Sequence, residues 1–278
     1  MAVASCDKFL RYKDKVLIVT GGSKGIGEGC VRVFVRNGAY VAFCARGAAD
    51  GERLEKEMNE EAPGKAFFKS VDLTDEAAIQ GFVEDVISRY GRIDCLINNA
   101  GQHPNPHLID DITAEKFRQV LDVNLLSYFL MSKYCLPHLR KVKGNIINDS
   151  SLVGKIGQQA AIPYVASKGA IDAMTRAMAI DEAVHGVRVN VFSPGNVWTP
   201  MWDGLATDEG EGREDMIAGG TNAQLLGRMG TIEEAGLLCL WLAADATFCT
   251  GIDINLSGGA ELDYGNKNRL TTKASAYH

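Results

Sequence analysis

Residues 15–27 read K-V-L-I-V-T-G-G-S-K-G-I-G, and this stretch decides the fold. Its first half is a short apolar run rich in β-branched residues, which is typical of a strand buried on both faces of a parallel sheet. Its glycine-rich second half leads into residues 25–37, which predict a helix. A strand, a glycine turn and a helix in this order predict a dinucleotide-binding turn, because glycines allow close backbone approach and a helix N-terminus favours the diphosphate charge.

The alternation of strands and helices continues along the chain. Further strands are expected at 40–44, 66–71, 95–98, 144–150, 188–192 and 252–256. Further helices are expected at 52–61, 75–90 with Thr74 as its N-cap, 114–139, from Pro163 onward, and 233–243. This pattern predicts an α/β fold, a single domain over residues 1–278 with a Rossmann-type, doubly wound parallel sheet of about seven strands. A mobile substrate segment is expected near 200–226, and a polar C-terminal tail at 266–278 is expected to fray.

Composition narrows the classes of partner. The chain has 278 residues, a formal net charge of −6 and a pI near 5.5, so neither nucleic acid nor a membrane is an expected partner. Seven cysteines, an odd number without a Cys-x-x-Cys pair, indicate free thiols in a reducing compartment. The N-terminal residues lack the apolar core of a signal peptide, and a cytoplasmic location is therefore expected.

Cofactor choice is expected to depend on the residues after the second strand. An acid there would hold the ribose 2′-hydroxyl of NAD, whereas a base would accept the 2′-phosphate of NADP. The chain has Ala45 and Arg46 at this point and Lys24 in the glycine turn, which favours NADP(H). The alternative is that Arg46 is simply an exposed base on a loop. Asp72, after the third strand, is placed either to contact an adenine edge or to cap the next helix.

A second motif, Tyr164-x-x-x-Lys168, lies in the helix expected from Pro163 onward. Residues four apart share a helix face, so the ammonium would sit beneath the phenol. A tyrosine phenol has a pKa of about 10, and a nearby positive charge stabilises the phenolate that acid–base chemistry near neutral pH requires. Ser151, thirteen positions earlier at the end of a predicted strand, would offer its hydroxyl to a reacting carbonyl.

Taken in order, T-G-x-x-x-G-x-G, N-N-A-G at 98–101, Asn124, Ser151, Tyr164-x-x-x-Lys168 and Pro194-Gly195 resemble the motifs of the short-chain dehydrogenase/reductase family. The resemblance covers roughly residues 13–259 and implies a catalytic tetrad of Asn124, Ser151, Tyr164 and Lys168. In that tetrad Tyr164 is the general acid/base, and Ser151 binds the substrate oxygen. Lys168 lowers the phenol pKa and holds the nicotinamide ribose, and Asn124 holds a proton-relay water. The residues expected to bind the cofactor are Gly21, Ser23, Lys24, Gly25, Ile26, Gly27, Ala45, Arg46, Asp72, Leu73, Asn99, Ala100, Gly101, Tyr164, Lys168, Pro194, Gly195, Val197 and Thr199.

Within that family, stretches such as S-S-L-V-G-K-I-G-Q at 150–158 and S-P-G-N-V-W-T-P-M-W at 193–202 resemble the 17β-hydroxysteroid dehydrogenase type 14 group. The resemblance implies interconversion of a secondary alcohol and a ketone by a homotetramer, with a 17β-hydroxysteroid-type substrate. A sugar of the L-fucose type is the alternative, and a nucleotide-binding scaffold without catalysis is another. Two residues depart from the group. Ala45 replaces an acid that accompanies NAD there, and Asp149 stands where an apolar residue is usual.

The small-molecule substrate is expected to contact His103, Gln158, Asn196, Trp198, Met201 and Trp202. His103 and Gln158 follow strands four and five, at the edge where open α/β sheets bind ligands, although both would also suit an ordinary exposed loop. The three large side chains would form an apolar wall for a flat hydrophobic substrate or pack under the loop, whereas Asn196 suits sugar hydroxyls. No metal site is expected, because the prolines between His103 and His107 preclude the helix that would align them.

Overall fold

A single parallel sheet organises the protein, which is described here by a computed structural model covering residues 10–208 and 212–262. The strands are β1 (Val16–Thr20), β2 (Tyr40–Ala45), β3 (Lys65–Ser70), β4 (Cys95–Asn98), β5 (Asn145–Asp149), β6 (Arg188–Pro194) and β7 (Asp253–Leu256). Their order in the sheet is β3-β2-β1-β4-β5-β6-β7. The predicted fold class is confirmed, and the tail at 266–278 lies outside the described residues.

Helices cover both faces of the sheet. They are α1 (Gly25–Arg36), α2 (Ala48–Glu61), α3 (Glu76–Tyr90), α4 (Ala114–Leu121), α5 (Ser127–Val142), α6 (Val153–Ile156), α7 (Ile162–Glu182), α8 (Pro200–Asp208), α9 (Arg213–Asn222) and α10 (Ile232–Ala244). Leu17 and Val19 pack into the core formed with α1 and α10, whereas Ile18 packs into the core on the other face with α3 and α5. Burial on both faces explains why β1 and β2 are nearly continuous apolar runs rather than alternating ones.

The order of the strands indicates which edge of the sheet binds a ligand. From β1 the chain moves outward to β2 and β3, and then returns to β4 on the other side of β1. Open α/β sheets bind ligands at such a reversal, at the carboxyl ends of the strands. The glycine turn after β1 and the N-N-A-G stretch after β4 therefore meet at this edge.

Three of the predicted helices differ from the observed ones in their start, cap or continuity. α2 begins at Ala48 rather than near residue 52, because the extended Gly47 is followed at once by good helix formers. Asp75, not Thr74, caps α3, since its side chain accepts hydrogen bonds from the backbone N–H of Ala77 and Ala78. The long helix expected at 114–139 is interrupted by a π-helical turn, Asp122–Leu126, which contains Asn124.

The segment near 200–226 carries regular structure. Much of it forms α8 and α9, which come between β6 and α10. Helix formation there follows from the several good helix formers among its glycines and acids. Its mobility stays a prediction. In the part of the chain that the structure describes, every helix is too short or too polar to cross a membrane.

Candidate active site

The glycine turn has the shape of an anion cradle. Gly21 and Gly25 adopt positive φ angles of 64° and 58°, a backbone conformation that residues other than glycine rarely adopt. A Cβ on Gly21 would lie 2.9 Å from the Ala100 Cα, and one on Gly27 would lie 2.3 Å from the Gly21 carbonyl oxygen. No side chain caps α1 at Lys24, so the first N–H groups of the helix are left for a ligand. The turn therefore fits the diphosphate of a dinucleotide.

Asn99 holds this turn in place. Its backbone N–H donates to the Thr20 Oγ1 at 2.9 Å, and its Nδ2 donates to the Thr20 carbonyl oxygen at 2.8 Å. The Ala100 N–H also donates to the Thr20 Oγ1, at 3.1 Å. Asn99, the residue after β4, thus hydrogen-bonds the backbone of the glycine turn.

An ion pair that the sequence did not indicate lies beside the glycine turn. The Lys24 Nζ lies 2.7 Å from the Asp50 Oδ2, in the first turn of α2. Lys24 is therefore already paired, which weakens its expected role as a base for a 2′-phosphate. Asp50 was missed because the helix was predicted to begin only after it. Arg46 is exposed beside the end of β2 and has no ion-pair partner among residues 10–208 and 212–262.

Asp72 stabilises the turn before α3 and does not cap the helix itself. Its Oδ1 accepts from the Thr74 N–H at 2.9 Å and from the Thr74 hydroxyl at 2.8 Å. These two hydrogen bonds lower the pKa of Asp72, and the charge of Arg46 contributes to the same effect. Asp72 thus orders the turn before α3, while its adenine contact stays a prediction.

A cavity of about 710 Å³ runs from the glycine turn to α7 and α8. Most of the expected site residues line it, namely Gly21, Lys24, Gly25, Ile26, Asn99, Ala100, Gly101, His103, Ser151, Gln158, Tyr164, Lys168, Pro194, Gly195, Asn196, Val197, Thr199, Met201 and Trp202. Eight do not, namely Ser23, Gly27, Ala45, Arg46, Asp72, Leu73, Asn124 and Trp198. Lining residues that the sequence did not indicate include Ser150, Leu152, Val153, Ile156, Leu205 and Ala223. Four of these lie in the loop after β5 or in the short α6 that follows it, a helix that no periodicity revealed.

Tyr164, Lys168 and Ser151 come together in this cavity. Pro163 occupies the first turn of α7, where its missing N–H costs no hydrogen bond. Lys168 is buried, and its Nζ donates to the main-chain oxygen of Asp149 at 2.7 Å. The same Nζ lies 5.7 Å from the centre of the Tyr164 ring. The spacing of four residues thus places both groups on one helix face, as expected.

The electrostatics around Tyr164 correct one expectation. Burial raises the pKa of Tyr164, and the negative charge of Asp149 raises it further, whereas an interaction with the Ser151 side chain lowers it. Burial also lowers the pKa of Lys168, and the charge of Asp149 opposes that shift. The pKa of Tyr164 is therefore raised rather than lowered in this structure, because burial and Asp149 outweigh the stabilisation that a nearby ammonium would provide.

Asn124 lies behind the cavity. Its Oδ1 accepts from the Gln102 N–H at 2.9 Å, while its Nδ2 donates to the Gln102 carbonyl oxygen at 3.0 Å and to the Ser167 Oγ at 3.1 Å. The π-helical turn turns this amide toward the loop after β4 and toward α7 together. Asn124 thus fixes the loop that carries His103 relative to the helix that carries Tyr164. Its role in holding a water stays a prediction.

The loops after β4 and β5 meet over Tyr164. The centre of the His103 ring lies 4.4 Å from that of Tyr164, and the His103 Nε2 lies 3.4 Å from the Gln158 Oε1. The His107 N–H donates to the Ala160 carbonyl oxygen at 2.9 Å, which joins the two loops. His103 and Gln158 are therefore brought to the mouth of the cavity, where polar groups of a substrate would be recognised. The described residues contain no cluster of three or more side chains able to hold a metal ion.

Two other expected substrate contacts are placed differently. Trp198 is 43% exposed and packs against Trp202, with the ring centres 5.7 Å apart, so it does not line the cavity. Asn196 lines the cavity, but its Nδ2 donates to the Gly220 carbonyl oxygen at 2.8 Å and its Oδ1 accepts from the Trp202 indole at 3.3 Å. Its amide therefore links α8 to α9, and it has fewer hydrogen-bonding positions left for sugar hydroxyls.

Comparison with known proteins identifies the class. The family model for short chain dehydrogenases matches residues 15–210, and the chain therefore belongs to that family. Members are oxidoreductases that bind NAD(P)(H), so the protein is an oxidoreductase of this kind. It is 51% identical to L-fucose dehydrogenase of Mus musculus over 257 residues, 92% of each chain. It is 49% identical to L-fucose dehydrogenase of Bos taurus, over 96% of each chain.

A solved structure extends the comparison to the fold. Aldohexose dehydrogenase of Thermoplasma acidophilum in ligand-free form is 28% identical with a TM-score of 0.83, over 95% of this chain and 99% of the other. The names of these relatives refer to sugars. None of these names refers to a steroid, the substrate class that the resemblance implied.

Proposed function

We propose that the protein is an NAD(P)-dependent sugar dehydrogenase for a substrate of the L-fucose type. The observation that carries this proposal is the convergence of Tyr164, Ser151 and Lys168 in one cavity continuous with the glycine turn. The proposal is supported on the substrate side by the names of the two mammalian relatives. It is also supported by His103 and Gln158, which offer hydrogen-bonding groups beside Tyr164.

In the proposed reaction the cofactor transfers a hydride and Tyr164 transfers a proton. The nicotinamide, when bound, accepts or supplies the hydride. Tyr164 takes the proton of the reacting hydroxyl during oxidation and returns it during reduction. The Ser151 hydroxyl donates a hydrogen bond to the same substrate oxygen and orients it toward Tyr164. Lys168, anchored on the Asp149 carbonyl oxygen, holds the ribose and keeps a positive charge near the developing phenolate.

A panel of substrates tests the proposal. Purified protein is assayed with L-fucose, other hexoses and 17β-hydroxysteroids, with NAD and NADP and in both directions. We expect kcat/KM for L-fucose to exceed that of every steroid by at least about tenfold, because a site built to hydrogen-bond substrate hydroxyls rejects an analogue that lacks them. A steroid preferred by the same margin would reject the sugar substrate. Cofactor binding without turnover of any compound would indicate a scaffold.

The variant Gln158→Leu sharpens this test. Loss of one hydrogen bond to a hydroxyl is expected to lower kcat/KM for the sugar about tenfold. Gln159→Leu is the matched control, since Gln159 is also exposed but does not line the cavity. Equal losses in the two variants would argue against a substrate contact by Gln158.

For the cofactor we propose NADP(H), supported by the exposed Arg46 beside the end of β2 and by the absence of an acid at Ala45. Arg46→Ala is expected to raise KM for NADP by about 10- to 100-fold, because a charge-assisted hydrogen bond contributes about 1.5–3 kcal/mol, and to leave KM for NAD nearly unchanged. Arg53→Ala is the control, since this exposed base of α2 pairs with Glu57 instead. Wild-type protein that prefers NAD would refute the assignment.

We also propose a cytoplasmic homotetramer that binds neither nucleic acid nor membranes. Self-association is supported by apolar side chains that stay exposed on α5 and near β7. Leu126 and Phe129 flank a shallow cavity of about 350 Å³ together with Met174, and Phe248 is fully exposed. Apolar patches of this kind mark contact surfaces on soluble proteins.

A further inference from the structure

Asp149 is a buried carboxylate in the wall of the cofactor cavity. It is the last residue of β5, is 6% exposed and lines the cavity together with Ser151, Tyr164 and Lys168. Its Oδ1 is buried without a hydrogen-bond partner among the described residues. Buried polar atoms are nearly always hydrogen-bonded, so an unpartnered carboxylate oxygen in a binding cavity points to an interaction with what binds there.

No cation among the described residues forms an ion pair with the carboxylate of Asp149. The Lys168 Nζ donates to the main-chain oxygen of Asp149, and so does the Tyr128 hydroxyl, at 3.2 Å. The ammonium is therefore directed at the backbone rather than at the carboxylate. The titratable groups that face Asp149 are Lys168 and Tyr164 from α7, Tyr128 from α5 and Cys239 from α10. Lys168 is the only cation among these four.

We propose that Asp149 sets the preference of the protein between the two oxidation states of the nicotinamide cofactor. The oxidised nicotinamide ring carries a positive charge, whereas the reduced ring is neutral. A negative carboxylate in a poorly solvated cavity favours the cationic ring. This inference rests on the proposed function, because it requires the ring to lie beside the substrate oxygen held by Tyr164 and Ser151. Asp149 ends β5 two residues before Ser151, and both residues line the cavity.

The preference is expected to depend on pH. Burial raises the pKa of Asp149 to about 7, while the charge of Lys168 opposes this shift. Below that pH the carboxyl is mainly neutral and the two forms of the cofactor should bind similarly. Above it the carboxylate is ionised and the oxidised form should bind more tightly. By linkage, the oxidised form should release a proton from Asp149 when it binds near pH 7.

Binding measurements without turnover test the inference. Dissociation constants of NAD⁺ and NADH are measured at pH 6 and pH 8 by fluorescence titration. This pair is used because a 2′-phosphate has a pKa of about 6 and would titrate in the same range. We expect the ratio of the NADH to the NAD⁺ dissociation constant to rise about tenfold from pH 6 to pH 8, as for one partly screened charge pair. Asp149→Asn should abolish that rise.

Asp172→Asn is the matched control. Asp172 is also a buried carboxylate with an unpartnered Oδ1, and it lies one turn beyond Lys168 on α7, but it does not line the cavity. We expect this variant to keep the wild-type pH dependence. Loss of the dependence in both variants would assign the effect to the field at Lys168 and overturn the role of Asp149.

Proton release gives a second measurement on the wild-type protein. Adding NAD⁺ at pH 7 in a weakly buffered indicator solution should release protons, whereas adding NADH should not, so the inference can be tested even if Asp149→Asn fails to fold. A ratio of dissociation constants that does not change with pH, with no proton released, would overturn the inference while leaving the dehydrogenase intact. Wild-type protein that binds no nicotinamide nucleotide would overturn the proposed function as well.

Discussion

Tyr164→Phe is expected to lower kcat by about 10²- to 10⁴-fold, which is the contribution that a positioned general acid/base makes to proton transfer. The substitution removes only the phenolic oxygen. The ring contact with His103 and the anchoring of Lys168 on the Asp149 carbonyl oxygen both remain. Cofactor dissociation constants are therefore expected to change little. Steady-state kinetics on the preferred sugar, together with nucleotide titrations, measure the two effects separately.

Tyr128→Phe is the control for this substitution. Tyr128 is buried, and its hydroxyl donates to the same Asp149 oxygen that Lys168 binds, but it does not line the cavity. The same chemical deletion is thus made near Lys168 without removing the proposed acid/base. We expect kcat of this variant to stay within about tenfold of wild type, the size of one displaced hydrogen bond. Turnover by Tyr164→Phe at the Tyr128→Phe level would refute the mechanism.

The raised pKa of Tyr164 determines the sign of the pH dependence. A raised pKa keeps the phenol protonated at neutral pH, which is the form needed to donate a proton during reduction. Oxidation needs the phenolate, so its rate should rise as pH increases toward that pKa. Reduction should slow over the same range. Both trends should disappear in Tyr164→Phe.

Gly27→Ala is expected to lower the free energy of unfolding by about 1–3 kcal/mol, the usual cost of forcing an extra methyl group into a packed site. The new Cβ would lie 2.3 Å from the Gly21 carbonyl oxygen and 2.6 Å from the Asn99 Nδ2. The first of these atoms is backbone, so the glycine turn itself must move. Because that turn is the proposed diphosphate cradle, nucleotide affinity should also fall about tenfold or more. Urea denaturation and nucleotide titration measure the two losses.

Gly81→Ala is the control, because it is expected to increase stability rather than decrease it. Gly81 lies within α3, and a Cβ there would meet no atom within 4 Å. Alanine in a helix interior is favoured over glycine by about 0.5–1 kcal/mol, so this variant should be slightly more stable than wild type and should bind nucleotide normally. Normal nucleotide binding by Gly27→Ala would show that the turn does not hold the diphosphate.

Much of the fold and of the candidate site could be predicted from sequence because the signals are local. A buried strand followed by glycines and a helix restricts the backbone within a dozen residues, and the interval between Tyr164 and Lys168 defines one helix face. The polar ends of β4 and β5 were likewise expected at the ligand edge, since parallel strands share the same carboxyl edge. Asn124 was placed correctly on a helical segment, although the π-helical turn that directs its amide was not expected.

The sequence alone therefore determined the order of the helices and strands and which residues lie at the carboxyl edge of the sheet. The tertiary structure decided what those residues contact. It pairs Lys24 with Asp50, engages the Asn196 amide with Gly220 and Trp202, and leaves Trp198 outside the cavity. It also buries Tyr164 and sets Asp149 near it, and both effects raise the pKa of the phenol. Such contacts and pKa shifts arise from burial and from groups distant in the chain, which local patterns do not encode.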